Sequence, residues 1–330
     1  MAVRWQDARL LVADEPSDGL RVTVSGHDAR PSTRLELAGR TQLRLVVGGV
    51  PAAYARHHEW SDVAWLSRAV APEVLGPITA EDVRSVAAPA GSFAWWRAWM
   101  IAFLGGVDAS PHTPLFSGAW AIAPLRSGLA AEGERYPTDP SDGLAGPPPL
   151  AHGLARAAAG VAFARDDWTC GWGDVETPMG TVWPLQGPSP ADEGRLAWLR
   201  KRARDATLPP VLLLYVSALG SYVLLDGHLR LRAALVEGVP PPLLALYPAR
   251  PDARGALIAS LVEAGSRLHH AAGVAAVEER LRQTTSCEAL GARTRAWPMP
   301  GGRARFAEEV RALAAHTTVP PEDLAFLLDT

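Results

Sequence analysis

The sequence predicts an α+β protein in three parts: an N-terminal β-rich part with helices, a smaller α+β unit, and a helical C-terminal extension. Three observations carry this expectation. Leu20–Ser25, Thr33–Leu37 and Leu43–Val47 alternate apolar and polar residues between Gly, Pro, His and Asp punctuation, the pattern of half-buried strands. Residues 208–247 run apolar, polar, apolar, charged and apolar again, as strand, loop, strand, helix and strand would. Ala304–His316 and Glu322–Leu328 have helical spacing at the C-terminal end.

Taken in order, the first three runs read as one small antiparallel sheet. Val50–Ala71 reads as helical, with Trp60, Ala64 and Trp65 on neighbouring turns. Thr79-Ala-Glu-Asp82 is a capped helix start, and the aromatic Ser92–Leu104 belongs inside the N-terminal part. Phe116–Leu125 reads as a strand broken at Pro124. Tyr136–Gly143 and Gly146–Pro149 are rich in Pro, Gly and Asp, which places a boundary there and divides the chain into 1–145, 150–250 and 251–330. His152–Ala164 is Ala-rich and reads as a helix. The following Asp166-Asp167-Trp168-Thr-Cys170-Gly-Trp172-Gly-Asp174 reads as a Trp-pinned turn or a wall of a ligand site. Thr181–Leu185 is expected as a strand, Ala191–Ala206 as a helix with a solvated basic face (Arg195, Arg200, Lys201, Arg202, Arg204), and Arg254–Gln283 as one or two amphipathic helices.

Composition limits the function classes. The 330 residues carry a formal charge of −3, so no global basic footprint points to nucleic acid or an acidic membrane. The two cysteines, Cys170 and Cys287, cannot form a disulfide framework, and no signal-like segment or apolar run of membrane-spanning length occurs; a cytoplasmic, soluble protein is expected. Lys201 is the only lysine, and neither a Walker-type phosphate loop nor a Gly-x-Ser-x-Gly elbow is present. His57-His58-Glu59 with Asp62 would share a helix face as His58 and Asp62, but no second pair lies at metal-site spacing, and His269-His270 is equally isolated; no metal site is expected.

The chemistry concentrates at Asp226-Gly227-His228-Leu229-Arg230-Leu231-Arg232. A strand enters Asp-Gly and a helix opens at once. Free backbone N–H groups and the positive end of the helix dipole favour an anion there, Gly227 admits a ligand close to the backbone, and arginine adds a forked charged donor. The plainer reading makes Asp226 a helix cap, Gly227 a turn residue, and the charges the wet side of a helix packed through Leu231, Ala234 and Leu235.

With Pro209-Pro210 before the first strand and Gly227-His228-Leu229-Arg230 after the second, the stretch from about 180 to 250 resembles the ParB/sulfiredoxin superfamily. In that family a Gly-x-x-Arg turn lies against nucleotide phosphates. Asp226, Gly227, His228 and Arg230 match the Asp-Gly-His-His-Arg form of the box, and Leu229 departs from it. The resemblance implies a nucleotide or phosphorylated small molecule as partner, a nucleoside triphosphate with Mg²⁺ as cofactor, and phosphoryl transfer or NTP hydrolysis as the activity. Gly227, His228, Arg230 and Arg232 would bind, while Asp226 and His228 would serve catalysis. Sulfiredoxins place their cysteine where this chain has His228, so sulfinic-acid reduction is not implied. One alternative is a non-catalytic interaction or regulatory protein that keeps the fold, favoured by Leu229. Another is partition-like DNA binding, which would need a helix-turn-helix within 254–330.

Overall fold

A computed structural model describes the chain except residues 1, 13–14, 27–29, 40, 59–61, 69, 128–149, 152, 168–179, 188, 190–191, 249–294 and 330. Among the described residues it is mixed α+β, with two sheets and seven helices. The first sheet runs β1 (Ala2–Val12), β2 (Glu15–Ser25), β7 (Gly118–Ser127), β13 (Leu243–Pro248), β11 (Val211–Val216), β12 (Ser221–Asp226) and β10 (Val182–Trp183), with β8 (Leu150–Ala151) beside β7. The second runs β14 (Ala296–Pro298), β3 (Arg34–Leu37), β4 (Gln42–Val47), β5 (Val50–His58), β6 (Asp62–Ser67) and β9 (Phe163–Asp167).

The two sheets face each other across one core, into which β2, β4, β6, β7, β11 and β12 send Val22, Leu45, Trp65, Ile122, Leu214 and Val223. Helix α2 (Phe93–Ala109) enters the same core through Trp95, Trp99, Met100, Phe103 and Leu104. Trp65 and Trp183 stack with ring centroids 5.7 Å apart and join the sheets at one end. The outer face of the first sheet is covered by α3 (Leu154–Ala159) and α5 (His228–Val236), and α4 (Glu193–Arg204) packs on α5. The outer face of the second is covered by α6 (Gly302–Ala314) and α7 (Pro321–Leu328), through Phe306, Val310 and Leu327. A short α1 (Ala80–Ser85) opens with the expected reciprocal capping pair: the Asp82 N–H donates to Thr79 Oγ1 at 3.2 Å, and the Thr79 N–H donates to Asp82 at 2.7 Å.

This layering explains where the sequence reading fails. Val50–Ala71 is not helical; it forms the antiparallel pair β5–β6, with Tyr54 opposite Leu66 and His58 opposite Asp62. Both faces of these strands are buried: Ala53, Ala55 and Trp65 face the inter-sheet core, and Tyr54, Ala64 and Leu66 face α6 and α7. A strand buried on both sides loses the apolar–polar alternation that identifies it. The first three expected strands do form, but they do not share a sheet, because β2 pairs with β1 and β7 while β3 and β4 pair together. Strand β7 passes through Pro124, which falls between its last β2 pair at Ile122 and its first β8 pair at Arg126. The expected helix over His152–Ala164 is cut to α3, ended by Gly160 at φ +63°, and β9 follows at once.

The unit around the box has the expected order. β11 and β12 pair antiparallel, α5 follows Gly227, and β13 returns parallel to β11. Strands from both sides of residues 128–149 share the first sheet through the β7–β13 pair. The C-terminal extension adds the two expected helices and also β14, which pairs with β3. The expected helices over Arg254–Gln283, and with them any helix-turn-helix there, lie outside the described residues, as do Cys170, Cys287, Trp168, Trp172 and His269-His270. No described helix is long and apolar enough to cross a membrane.

Candidate functional site

Strand β12 ends at Asp226, and the chain turns into α5 at Gly227, whose φ of +100° strongly disfavours any side chain. Gly227 itself occupies the capping position, and no side chain caps the helix. Asp226 is therefore not the helix cap. Its carboxylate instead accepts a hydrogen bond from Nη2 of Arg230, one turn on. Arg230 is only 3% exposed, and its guanidinium lies 5.7 Å from the centre of the Phe103 ring of α2. A Cβ at residue 227 would come within 2.7 Å of Arg230 Nη2 and 2.9 Å of its Nε. The glycine thus serves two needs: the left-handed backbone, and the return of the arginine over the turn.

His228 begins the helix, and its Nε2 accepts the Leu185 backbone N–H at 3.4 Å. A ring that accepts at Nε2 carries its proton on Nδ1, which is then the ring's donor. Burial pulls the His228 pKa down to about 4; Asp226 pushes it up and Arg230 pushes it further down. At neutral pH His228 is an uncharged donor, not a cation. Leu229 packs towards the apolar contact of α4 and α5, built from Leu196, Leu199, Ala203, Ala233 and Ala234. Arg232 reaches Glu193 of α4 at 3.6 Å.

These residues border an open recess of about 90 Å³. Its floor includes Leu75, Leu199 and Leu225, and its charged rim includes Glu73, Asp192, Arg195 and Arg232. Sequence reasoning missed the contribution of the N-terminal part. Glu73, Leu75 and Pro77 form one wall, and Gln186 Nε2 ties the other wall to the Ala71 carbonyl at 3.1 Å. No motif marks them, because the contact depends on how distant segments pack.

The backbone N–H groups of the first turn of α5 have no intrahelical acceptors, and no acidic residue stands in that turn. The positive end of this helix is flanked by Arg230 and Arg232, charges of the wrong sign for its dipole, and Asp226 offsets one of them. Such an arrangement attracts an anion. No cluster of three or more His, Cys, Asp or Glu side chains suited to a metal occurs among the described residues. Comparison with protein-family models, curated proteins and solved structures found no match to this chain.

Proposed function

We propose that the recess at the Asp226–Arg232 turn binds a phosphate-bearing ligand, a nucleotide or a phosphorylated small molecule, and that it binds without turning the ligand over. The observation that carries this reading is a helix start with free N–H groups, no acidic residue in its first turn, and flanking arginines, opening on a recess. The Nδ1–H of His228 adds a neutral donor. The order of elements from Pro209 to β13, with Gly227-x-x-Arg230 at its centre, supports a ParB/sulfiredoxin-like unit and with it a nucleotide as the ligand.

Two features favour binding over catalysis. One oxygen of Asp226 is held by Arg230, and His228 Nε2 would have to give up the Leu185 N–H to take a proton from a nucleophile. Leu229 faces the α4 contact and supplies no polar group. A thermal-shift series with ATP, ADP, CTP and GTP, with and without Mg²⁺, tests the proposal, because a ligand that binds only the folded state raises its unfolding temperature. A shift with at least one nucleotide and no phosphate release over hours is the expected result. Phosphate release that is lost in Asp226→Asn would replace it with the catalytic reading.

A further inference from the structure

We infer that the phosphate is gripped by two arginines from different helices, Arg195 of α4 and Arg232 of α5, that Arg230 belongs to the frame, and that the preferred ligand is a phosphate monoester rather than a triphosphate. This inference rests on the proposed phosphate site and names the residues and ligand class that the site would use.

Arg230 is poorly placed to meet a ligand. It is 3% exposed, bound to Asp226, and folded over Gly227, although its buried Nε–H has no hydrogen-bond partner among the described residues. It contributes positive potential from behind the turn and fixes the shape of the recess wall.

Arg195 is the opposite case. It borders the recess in a half-buried position and has no ion pair among the described residues. Arg232 also borders the recess, and its contact with Glu193 is long at 3.6 Å, with the glutamate side chain 67% exposed. A pair of that length is weak and readily exchanged for a shorter charged hydrogen bond. The two helices carrying these arginines are locked together by Leu196, Leu199, Ala233 and Ala234, so their spacing is set before any ligand arrives. Two guanidinium groups carried by a fixed pair of helices can each donate to the three terminal oxygens of a phosphate monoester.

The rest of the rim sets the class. Glu73 and Asp192 border the same recess as Arg195 and Arg232, beside the Asp226–Arg230 pair. A phosphate dianion balances Arg195 and Arg232, and the carboxylates can accept hydrogen bonds from hydroxyl or amino groups on the rest of the molecule. A triphosphate brings more negative charge than the arginines can meet, within reach of those carboxylates.

Titration calorimetry on the full chain with inorganic phosphate, AMP, and ATP in the presence of a chelator tests this directly. Wild type should bind AMP more tightly than ATP. Arg195→Ala and Arg232→Ala should each weaken AMP binding by roughly tenfold or more, the loss of a charged hydrogen bond, with ligand-free unfolding temperatures within a degree or two of wild type. Wild-type affinity for AMP in Arg195→Ala would overturn the two-arginine grip while leaving the phosphate site standing, and ATP binding tighter than AMP would overturn the monoester class. No binding of any of the three to wild type would remove the phosphate site itself. If Arg195→Ala does not fold, Arg195→Gln keeps most of the stem without the charge and gives the same reading; if neither folds, Arg195 is a frame residue and the inference fails.

Discussion

Two ionic assemblies in this molecule use the same residue types to opposite ends. Against the second sheet, Glu36 is fully buried and its two oxygens accept from Arg30, Arg34 and Arg44. Arg44 continues to Glu309 of α6 at 2.7 Å, and Glu309 also accepts from Tyr54 at 2.9 Å and Arg305 at 2.8 Å. Burial pushes the Glu309 carboxyl up, but the hydrogen bonds from Arg44, Arg305 and Tyr54 outweigh it and hold it below the usual carboxylate range. The Tyr54 hydroxyl, buried and bonded to that carboxylate, is pushed up to about 12. Each carboxylate here takes several donors, so the assembly is closed and joins β3, β4, β5 and α6. At the recess one aspartate meets one arginine, and among the described residues a buried Arg230 N–H has no partner, Arg195 has no ion pair and Arg232 makes the 3.6 Å contact with Glu193. A satisfied network holds a fold, and the open one is the recess at which the phosphate ligand is proposed.

The largest effect is expected from Glu36→Gln. It leaves the buried Arg44 and its neighbours without their shared counter-charge, and removing one partner of a buried ion pair costs about 3–5 kcal/mol. Urea unfolding should show a loss of that size, and a loss below about 1 kcal/mol would mean that the network is not the clamp described.

The next effect is a pH dependence at the recess. The folded pKa of His228 lies near 4, below the ordinary value of 6.5, so the unfolded chain takes up the proton first as the pH falls. The stability associated with neutral His228 is therefore complete above about pH 6.5, is lost between there and about pH 4, and changes no further below. The full shift corresponds to at most about 3 kcal/mol. The difference in stability between wild type and His228→Gln should vary across that window by a measurable part of this amount. A constant difference from pH 7 to pH 4 would show that His228 is not held neutral.

Third, Arg230→Ala should cost about 2 kcal/mol, less than Glu36→Gln because Asp226 keeps 19% exposure and water can replace part of what is lost. A double-mutant cycle with Asp226→Asn should return a coupling of about 1 kcal/mol or more. Additive losses would separate the two residues and weaken the case that Arg230 is a frame residue. The smallest expected effect is Arg195→Ala without ligand, within about 0.5 kcal/mol of wild type.

Local chemistry made part of this protein legible from its residues. Thr79 and Asp82 cap α1, Gly227 turns β12 into α5, Gly238 follows the end of α5 at φ +67°, and the terminal helices lie close to where their periodicity puts them. Each of these signals lies within a few neighbouring residues, so the chain writes them directly. Packing decided the rest. Layers on both faces of β5 and β6 erase the alternation of a strand, so Val50–Ala71 looks helical until its neighbours are present. The roles of the box residues also changed with their surroundings: Arg230 turned back to Asp226 because Gly227 leaves it room and Phe103 of a distant helix covers it. Leu185, far along the chain, occupied the Nε2 of His228, and Glu73, Leu75 and Pro77 walled the recess. Such contacts between segments remote in sequence arise only when the chain has closed on itself, and no run of neighbouring residues encodes them alone.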